Sequence, residues 1–553
     1  MKNISPVKKR DIKKTIILFL IFFLISEFFI VRPLRKNIEN KQKEAKEIEQ
    51  LAQEEKLNSI NDDENITGEN VILENNYLKL TLNTKGLQVK DVILKKYNNS
   101  VNSNENVKIL NDNYYIDINW LSFTEGLILP TKNSLWNVEK SNDNKTIFSY
   151  NNKDGVIYKI ILSLDEKYLL NIEQVVENNK YNRLYLKPFW QITQKQSKDK
   201  TDLTAFNGGI GVFNDKLDEI KIKKLKNNNI EFEKFNWAGL TSKYWLTAII
   251  NEEKSNGTVN YLQKAGAVKV QYTTSNNLIV LKDSFVGTKN KIFIGAKDLD
   301  VLKEYRDTQN IKLFDRSVDF GLFYFLSKPL NSVLEFFYSI VHNYGLAIIL
   351  LTVIIKVILY PTVKKSFISM AKMKKAQPEM KRIQEKYKGD RIAMQQELVK
   401  LYQKYELNPM SSITPLLIQI PVFFSLYKVI SVNLDIRQAP FFGYIKDLSS
   451  ADPTTMFNLF GLLPYDVGFK VGLLPCIMAL SMYIQQKITD KMQNGEEGMS
   501  DEVKAMNRSM KYLPLLFLFM FSGFSSGLLI YWIFNNIITI IQQLYISKKY
   551  IQK

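Results

Sequence analysis

Residues 345–363 read GLAIILLTVIIKVILYPTV, a stretch long and apolar enough to cross a bilayer as one helix. A single charge, Lys356, interrupts it. A lysine at the centre of a spanning helix costs about 2.5–3.5 kcal/mol on insertion scales, so such residues normally face a bundle interior or a wet cavity and have a function. The stretch therefore predicts a membrane protein whose helices surround a buried cation.

The alternative for Lys356 is a side chain that extends to the cytoplasmic surface. Lys364 marks the cytoplasmic end of the predicted helix, which places Lys356 roughly 12 Å inside that end at ~1.5 Å of rise per residue. A lysine side chain covers only part of this depth. The sequence therefore favours a Lys356 side chain in a functional wet cavity over one that extends to the membrane surface.

Further apolar runs predict six spans in all. They are residues 15–31, residues 413–432, residues 471–486, and two short spans that Ser522–Gly527 separates within residues 512–546. The loop at 364–411 carries twelve Lys and Arg residues, whereas the loop at 433–470 carries three. Because basic loops stay in the cytoplasm, both termini are predicted to be cytoplasmic. Residues 1–35 then form an uncleaved N-terminal anchor.

The chain between the anchor and the bundle has a different character. Residues 36–69 are charged and rich in Asn, which predicts a solvated linker. Residues 70–315 contain short alternating runs such as YLKLTLN, separated by Asn, Asp and Gly, and this pattern is typical of antiparallel strands in a sandwich. One preceding span places this domain on the outer side of the membrane. The fold class is therefore an α+β membrane protein.

Two shorter segments flank the predicted bundle of residues 345–546. Residues 316–344 are aromatic and amphipathic, which favours a helix in the membrane interface, broken near Pro329. The alternative is a helix packed on the β domain. Residues 547–553 form a short basic tail.

The basic loop at 364–411 predicts a cytoplasmic helical hairpin. Apolar residues recur at helical spacing on both sides of a turn at Lys388-Gly389-Asp390, and Pro378 is expected to start or kink a helix. The seam consists of Met370, Met373, Met380, Ile383 and Tyr387, facing Met394, Leu398, Leu401 and Tyr405. Two interpretations of its basic outer face stay open: a solvated surface near anionic lipid, and a docking site for a ribosome or a substrate.

Polar residues in the predicted spans are candidate neighbours of Lys356. They are Thr352 one turn before it, Gln419, Gln485 and Asn535. Each needs a partner or water within the bilayer. Singly, each fits the role of joining helices, but together they indicate a hydrophilic groove. The bundle sequence offers no second charge at comparable depth, so Lys356 is predicted to receive acidic groups that pass through the groove.

Composition excludes several enzyme classes. With one Cys, the chain forms no internal disulfide and no Cys-based zinc site, and His342 is the only histidine. The sequence has no Gly-Lys pair and therefore no P-loop. Ser369-Met-Ala-Lys372 fits S-x-x-K, but its partner K-T-G motif is missing. We predict no cofactor, no metal and no enzymatic activity.

These segments resemble the YidC family of bacterial membrane protein insertases. The resemblance is carried by KVILYP at 356–361, SMAKM at 369–373, PLLIQIP at 415–421 and RQAPFFG at 437–443. It implies an outer β-supersandwich, a five-helix core and a groove open to cytoplasm and lipid, with Thr352 and Trp532 as groove-lining residues. The family usually has an arginine where this chain has Lys356, so the charge is kept but the planar fork is lost.

The resemblance implies a protein that inserts and folds nascent membrane proteins in the lipid bilayer, alone or beside the Sec translocon. Two other classes of protein are the alternatives. An anchored periplasmic enzyme acting on sugars would need a histidine acid or base, but His342 lies outside the β domain. A transporter with Lys356 as an anion site would be favoured by inverted repeats, and the sequence contains none that is evident.

Overall fold

The computed structural model describes residues 68–101, 103–142, 145–195, 206–226, 228–251, 257–387, 389–405, 414–461, 471–493 and 512–550. The predicted anchor at 1–35 lies outside these residues, and so does nearly all of the linker at 36–69. Within the described ranges a β-sheet region is followed by a helical region. This order agrees with the α+β class predicted from the sequence.

Alternating apolar residues build the β domain of residues 70–315. In LKLTLN, Leu78, Leu80 and Leu82 are fully buried while the residues between them are partly exposed. The same two-residue period runs through the longer strand Val156–Leu164. Because successive strand side chains point to opposite faces, each strand has one face for the core.

Nineteen strands are present in the described residues. They are β1 Asn70–Glu74, β2 Leu78–Asn83, β3 Val89–Asn98, β4 Asn106–Leu110, β5 Tyr114–Ser122, β6 Asn137–Asn142, β7 Lys145–Asn151, β8 Val156–Leu164, β9 Leu169–Asn178, β10 Arg183–Lys195, β11 Gly208–Phe213, β12 Lys216–Ile220, β13 Ile230–Phe232, β14 Phe235–Thr241, β15 Trp245–Ile250, β16 Gly257–Lys264, β17 Ala267–Thr274, β18 Leu278–Leu281 and β19 Ser284–Ala296.

The strands form two antiparallel sheets. The first has ten strands in the order β1-β2-β3-β5-β10-β17-β16-β13, with β4 on β3 and β18 on β10. The second has nine strands in the order β12-β11-β14-β15-β19-β9-β8-β7-β6. Trp190 of the first sheet donates its indole N–H to Gln174 of the second at 2.6 Å, so the two inner faces meet in one core.

Eight α-helices follow in the described part of the chain. They are α1 Leu299–Thr308, α2 Tyr324–Val341, α3 Tyr344–Lys386, α4 Arg391–Lys404, α5 Thr414–Val432, α6 Leu473–Gln493, α7 Leu513–Met520 and α8 Ser526–Tyr550. The last helix, α8, packs against α3, α5 and α6. It is therefore central to the helical core.

Helix α2 corrects the predicted break at Pro329. Pro329 is the sixth residue of a helix that runs unbroken from Tyr324 to Val341. Pro329 lies past the first turn, so the helix lacks the hydrogen bond from this position to the Phe325 carbonyl, and packing against neighbouring helices has to offset the loss. The helix packs against α3 and α5, and Asn433 donates to Asn331 at 2.9 Å, so α2 belongs with the helical core rather than with the sandwich.

Helix α3 is longer than predicted. It continues for 43 residues through Pro361 and Pro378, so the expected helix start or kink at Pro378 does not interrupt the helix. Helix α3 ends at Lys386, and Asp390 caps α4 by accepting from Ile392 N–H and Ala393 N–H, both at 3.0 Å.

The hairpin seam is formed only in part. Met380 and Leu401 are buried, as expected for facing helices. Met370 is buried elsewhere, in a cluster with Val363, Phe367 and Ile546. The C-terminal half of α3 therefore packs on α8 before it reaches α4.

The C-terminal segment is divided as the sequence predicts. Helix α7 ends at Met520, a short turn spans Phe521–Gly523, and α8 starts at Ser526. Helix α8 reaches Tyr550, so Lys548 and Lys549 belong to this helix and not to a separate tail.

Two of the described helices are long and apolar enough to span a membrane, namely Tyr344–Met370 and Ser526–Lys549. Ile418–Val432 and Leu513–Gly523 are shorter apolar helices. A helix is present at each of the five predicted core spans, but the crossing of the other three stays a prediction.

The sandwich is joined to the core by charged contacts. Lys428 of α5 donates to the Asp319 carboxylate at 2.6 Å. Gly321 has a left-handed backbone with φ of 72°, and a Cβ there would lie 3.0 Å from Lys428 Cγ, so glycine allows the close approach. Behind this pair, Lys297 is 3% exposed and donates to Thr241 Oγ1 at 3.1 Å.

Arg437 makes a second set of contacts between the sandwich and the helical core. Its guanidinium donates to the carbonyls of Asn98 and Asn99, at 2.7 and 3.3 Å. It also lies over the rings of Tyr244 and Trp245, at 5.9 and 5.5 Å from their centroids. These contacts fix the outer loop that follows α5 to the end of β3 and the start of β15.

Candidate functional site

One face of α3 directs Lys356 into the bundle. The buried residues of this helix segment recur at helical spacing, and they are Ile348, Leu351, Thr352, Ile355 and Lys356. The exposed residues Val353, Ile354, Val357 and Ile358 occupy the opposite face. Lys356 is 6% exposed, so it faces neighbouring helices rather than hydrocarbon.

The Lys356 ammonium ends on the hydroxyl of Thr539. Its Nζ donates to Thr539 Oγ1 at 2.8 Å, and Gln542 Nε2 of the same helix donates to the Lys356 carbonyl at 3.3 Å. Thr539 lies about 16 Å from the C-terminal end of α8 at ~1.5 Å per residue, so the ammonium does not reach the helix end. No carboxylate of the described residues pairs with it.

The surroundings of this ammonium retain unused hydrogen-bonding capacity. A lysine ammonium has three donors, and only one meets a side chain within the described ranges. Asn535 Oδ1 and Gln542 Oε1 are buried and have no hydrogen-bond partner among the described atoms. Buried polar atoms require such partners. The unused donors of the ammonium suit an acceptor such as a carboxylate, whereas the two amide oxygens suit a donor.

Thr352 and Gln419 form hydrogen bonds elsewhere, Thr352 within its own helix and Gln419 with a neighbouring helix. Thr352 donates to the carbonyl of Ile348 at 2.7 Å, within its own helix. Gln419 donates to the Tyr531 hydroxyl at 2.5 Å and so joins α5 to α8. Neither hydrogen bond reaches Lys356.

Asn535 lies beside the site, whereas Gln485 does not contact Lys356. The carbonyl of Asn535 accepts from the Thr539 hydroxyl at 2.6 Å. Gln485 is half-buried on α6, and its side chain forms no hydrogen bond with the residues that the structure describes. Helix α6 instead meets α8 through Ser481 and Thr489, which accept from Asn536 and Gln543 at 2.9 and 2.8 Å.

Trp532 belongs to an aromatic cluster. Its ring centroid lies 4.7 Å from that of Phe423, 6.0 Å from that of Phe517 and 4.8 Å from that of Phe521. The cluster joins α5, α7 and α8. Trp532 is half-buried, and its expected place in the lining of a hydrophilic groove stays a prediction.

Two apolar clusters lie on either side of Thr539 along α8. The aromatic cluster around Trp532 is nearer the N-terminus of α8, and the cluster of Val363, Phe367, Met370 and Ile546 is nearer its C-terminus. The open groove that the resemblance implies stays a prediction.

Sequence reasoning missed Thr539, although it is the direct partner of Lys356. A threonine within an apolar helix gives little signal of its own, and 183 residues separate it from Lys356. The described residues contain no group of three or more His, Cys, Asp or Glu side chains that could hold a metal ion.

Fold and site together define an α+β membrane protein, with a two-sheet β domain joined to a helical core that buries a cation. Residues 70–333 match the family described as the YidC periplasmic domain, and residues 336–553 match the family described as 60Kd inner membrane protein. The chain belongs to the YidC family and is an inner-membrane protein.

Named relatives cover nearly the whole chain. It is 39% identical to the membrane protein insertase YidC of Rickettsia prowazekii over 494 residues, which cover 86% of this chain and 87% of the relative. It is 37% identical to that of Rickettsia africae over 546 residues, covering 94% and 96%. A solved structure titled as an active YidC insertase with its first transmembrane domain resolved has 18% identity and a TM-score of 0.34, covering 87% of this chain and 92% of that one.

Proposed function

We propose that this protein inserts other membrane proteins into the inner membrane and that Lys356 receives their acidic or hydrophilic flanks. The names of its relatives support the insertase activity. One observation carries the role of Lys356: its ammonium is buried, faces the bundle and is paired with a neutral hydroxyl rather than a described carboxylate.

The proposed reaction is a transfer between environments and forms no covalent bond. A nascent segment brings its hydrophilic flank to Lys356, where a carboxylate replaces part of the hydration that it loses. The apolar segment then moves between helices into lipid, driven by removal of apolar surface from water. No nucleotide hydrolysis is required.

Lys356 is 6% exposed, so a substrate can reach its ammonium only if neighbouring helices move apart. The polar contact between α5 and α8 is the hydrogen bond from Gln419 to Tyr531. A contact of this kind contributes only about 0.6 kcal/mol on average between membrane helices. We propose that α5 moves away from α8 when a substrate enters.

The proposal keeps the predicted topology and partners. It has six spans with both termini in the cytoplasm and the sandwich in the periplasm, and it acts alone or beside the Sec translocon. For the hairpin, a lipid-facing surface and a docking site for a ribosome or substrate both stay open. The sugar-enzyme alternative is disfavoured because His342 lies between α2 and α3, where its ring contacts Tyr338 at 6.3 Å between centroids.

The test is a depletion–complementation assay with matched substrates. A test membrane protein carries one Asp in its translocated segment, and its control carries Asn. Lys356→Ala should impair insertion of the Asp substrate more than that of the Asn control, whereas Lys356→Arg should support both because it keeps the charge. Equal insertion of the Asp substrate by Lys356→Ala would remove Lys356 from the mechanism.

A further inference from the structure

The Thr539 hydroxyl has a fixed orientation. Its single hydrogen is donated to the Asn535 carbonyl at 2.6 Å, so its lone pairs are left for Lys356 Nζ at 2.8 Å. Both residues are buried, at 8% and 6% exposure. The hydroxyl therefore acts as an acceptor built into α8 for a cation on α3.

We infer that Thr539 is a positioning residue that holds the Lys356 charge in the recess and thereby sets how well acidic substrate segments are received. The inference rests on the proposed function of Lys356. Thr539 does not bind the substrate itself and acts through Lys356.

The physical need for this acceptor comes from burial. An ammonium away from water is costly unless it has hydrogen-bond acceptors, and Thr539 supplies the one acceptor that the described side chains provide. Without it, the flexible lysine side chain would turn toward the cytoplasmic end, where water is available. The charge would then lie away from the point at which α3, α5 and α8 meet.

The hydrogen bond also leaves the lysine free to bind a substrate. A neutral hydroxyl does not neutralise the charge, so the ammonium stays attractive to a carboxylate. Its two remaining donors are directed away from Thr539. A carboxylate in place of Thr539 would hold the lysine as well, but it would cancel the charge that the substrate has to meet.

A purely structural role for Thr539 makes different predictions. Threonines in membrane helices often donate to a carbonyl one turn earlier, and this bond alone needs no partner on another helix. In that case, removal of the hydroxyl would affect all substrates alike. Its effect would also add to that of a Lys356 substitution, because the two residues would act independently.

The experiment uses the purified full chain in liposomes of bacterial phospholipid, with the matched Asp and Asn substrates and protease protection as the readout. The variants are Thr539→Val, which keeps the shape but removes the hydroxyl, Thr539→Ser, which keeps the hydroxyl, Lys356→Ala and the double variant. Thr539→Ala replaces Thr539→Val if the latter does not accumulate.

We expect Thr539→Val to insert the Asp substrate roughly threefold to tenfold more slowly, because a hydrogen bond to a charged group is lost. The Asn substrate should be affected little, and Thr539→Ser should retain activity. The double variant should be no slower than Lys356→Ala alone. This non-additivity is the signature of one residue acting through the other.

Two kinds of failure are distinguishable. If Lys356→Ala impairs the Asp substrate but Thr539→Val does not, or if its loss adds to that of Lys356→Ala, the positioning role is wrong and the proposed function stands. If Lys356→Ala itself inserts the Asp substrate normally, both the role of Lys356 and the inference that depends on it are wrong.

Discussion

Replacing Lys297 with methionine should stabilise the β domain near neutral pH and remove part of its pH dependence. Lys297 is buried behind the joint between sandwich and core, with Thr241 Oγ1 as its hydrogen-bond acceptor. Burial lowers its pKa from the ordinary 10.5 to about 7, and the nearby Asp319 and Glu219 carboxylates offset only part of this effect. The folded state therefore favours the neutral amine.

The sign and the magnitude follow from this lowered pKa. Below about pH 7 lysine is charged in both states, and burial of the charge is a constant cost to stability. Between about pH 7 and pH 10.5 the folded protein binds fewer protons than the unfolded chain, so the free energy of unfolding rises with pH. At about 1.4 kcal/mol for each pH unit, the full rise attributable to Lys297 is about 5 kcal/mol.

Tryptophan fluorescence can follow this domain within the full chain. Five of the six tryptophans lie in the β domain, so Trp532→Phe leaves a signal from that domain alone. Urea unfolding in detergent at about pH 7 and about pH 10 then compares Lys297 with Lys297→Met. The stability advantage of methionine should be several kcal/mol at the lower pH and should shrink toward the higher pH.

Lys297→Arg is the matched control. Its guanidinium cannot lose its charge, so this variant should unfold at lower urea than Lys297 at both pH values. An advantage of methionine that is the same at both pH values would refute the reasoning. So would destabilisation by methionine at neutral pH, because it would mean that Asp319 and Glu219 stabilise the charged lysine.

Two further predictions concern the hairpin and the joint. Asp390→Ala should remove the cap of α4, lower the stability of this helix by about 1 kcal/mol and speed hydrogen exchange of the Ile392 and Ala393 amides. Asp390→Ser should keep the cap and the slow exchange. Unchanged exchange in Asp390→Ala would contradict the capping role. Lys428→Met should leave the partly buried Asp319 carboxylate without its cation and lower the free energy of unfolding by about 1–3 kcal/mol in the fluorescence assay, whereas Lys428→Arg should be tolerated. If Lys428→Met is as stable as the unsubstituted protein, the pair contributes nothing.

Local patterns predicted the features that depend on neighbouring residues. The two-residue period of LKLTLN predicted strand β2 and its buried face, and Lys388-Gly389-Asp390 predicted the hairpin turn. The cost of a charge in an apolar helix predicted that Lys356 faces the bundle. These inferences succeed because periodicity, turn chemistry and desolvation act over a few residues.

Long-range contacts were not predictable in the same way. The partner of Lys356 lies on a helix far along the chain, and no local pattern distinguishes Thr539 from a threonine that joins only its own helix. The aromatic contacts of Trp532 likewise come from elsewhere in the chain, because its three phenylalanine neighbours belong to α5 and the α7 region. Tertiary packing decides both sets of contacts.

Proline positions were a further source of error. Pro329 was expected to break a helix and Pro378 to start or kink one, yet both lie within continuous helices, and a kink at Pro378 stays a prediction. Intrinsic propensity opposes proline in a helix interior, but packing against neighbouring helices can override it.

Photocrosslinking to a stalled nascent chain tests most directly whether Lys356 lies where substrates pass. A photoreactive amino acid at position 535, one turn from Thr539, is compared with one at position 357, which is 66% exposed on the opposite face of α3. Position 535 should capture the acidic flank of the nascent chain, and this capture should fall in Lys356→Ala, whereas position 357 should not capture that flank. Absence of capture at position 535, or capture of the flank from both positions alike, would contradict the account.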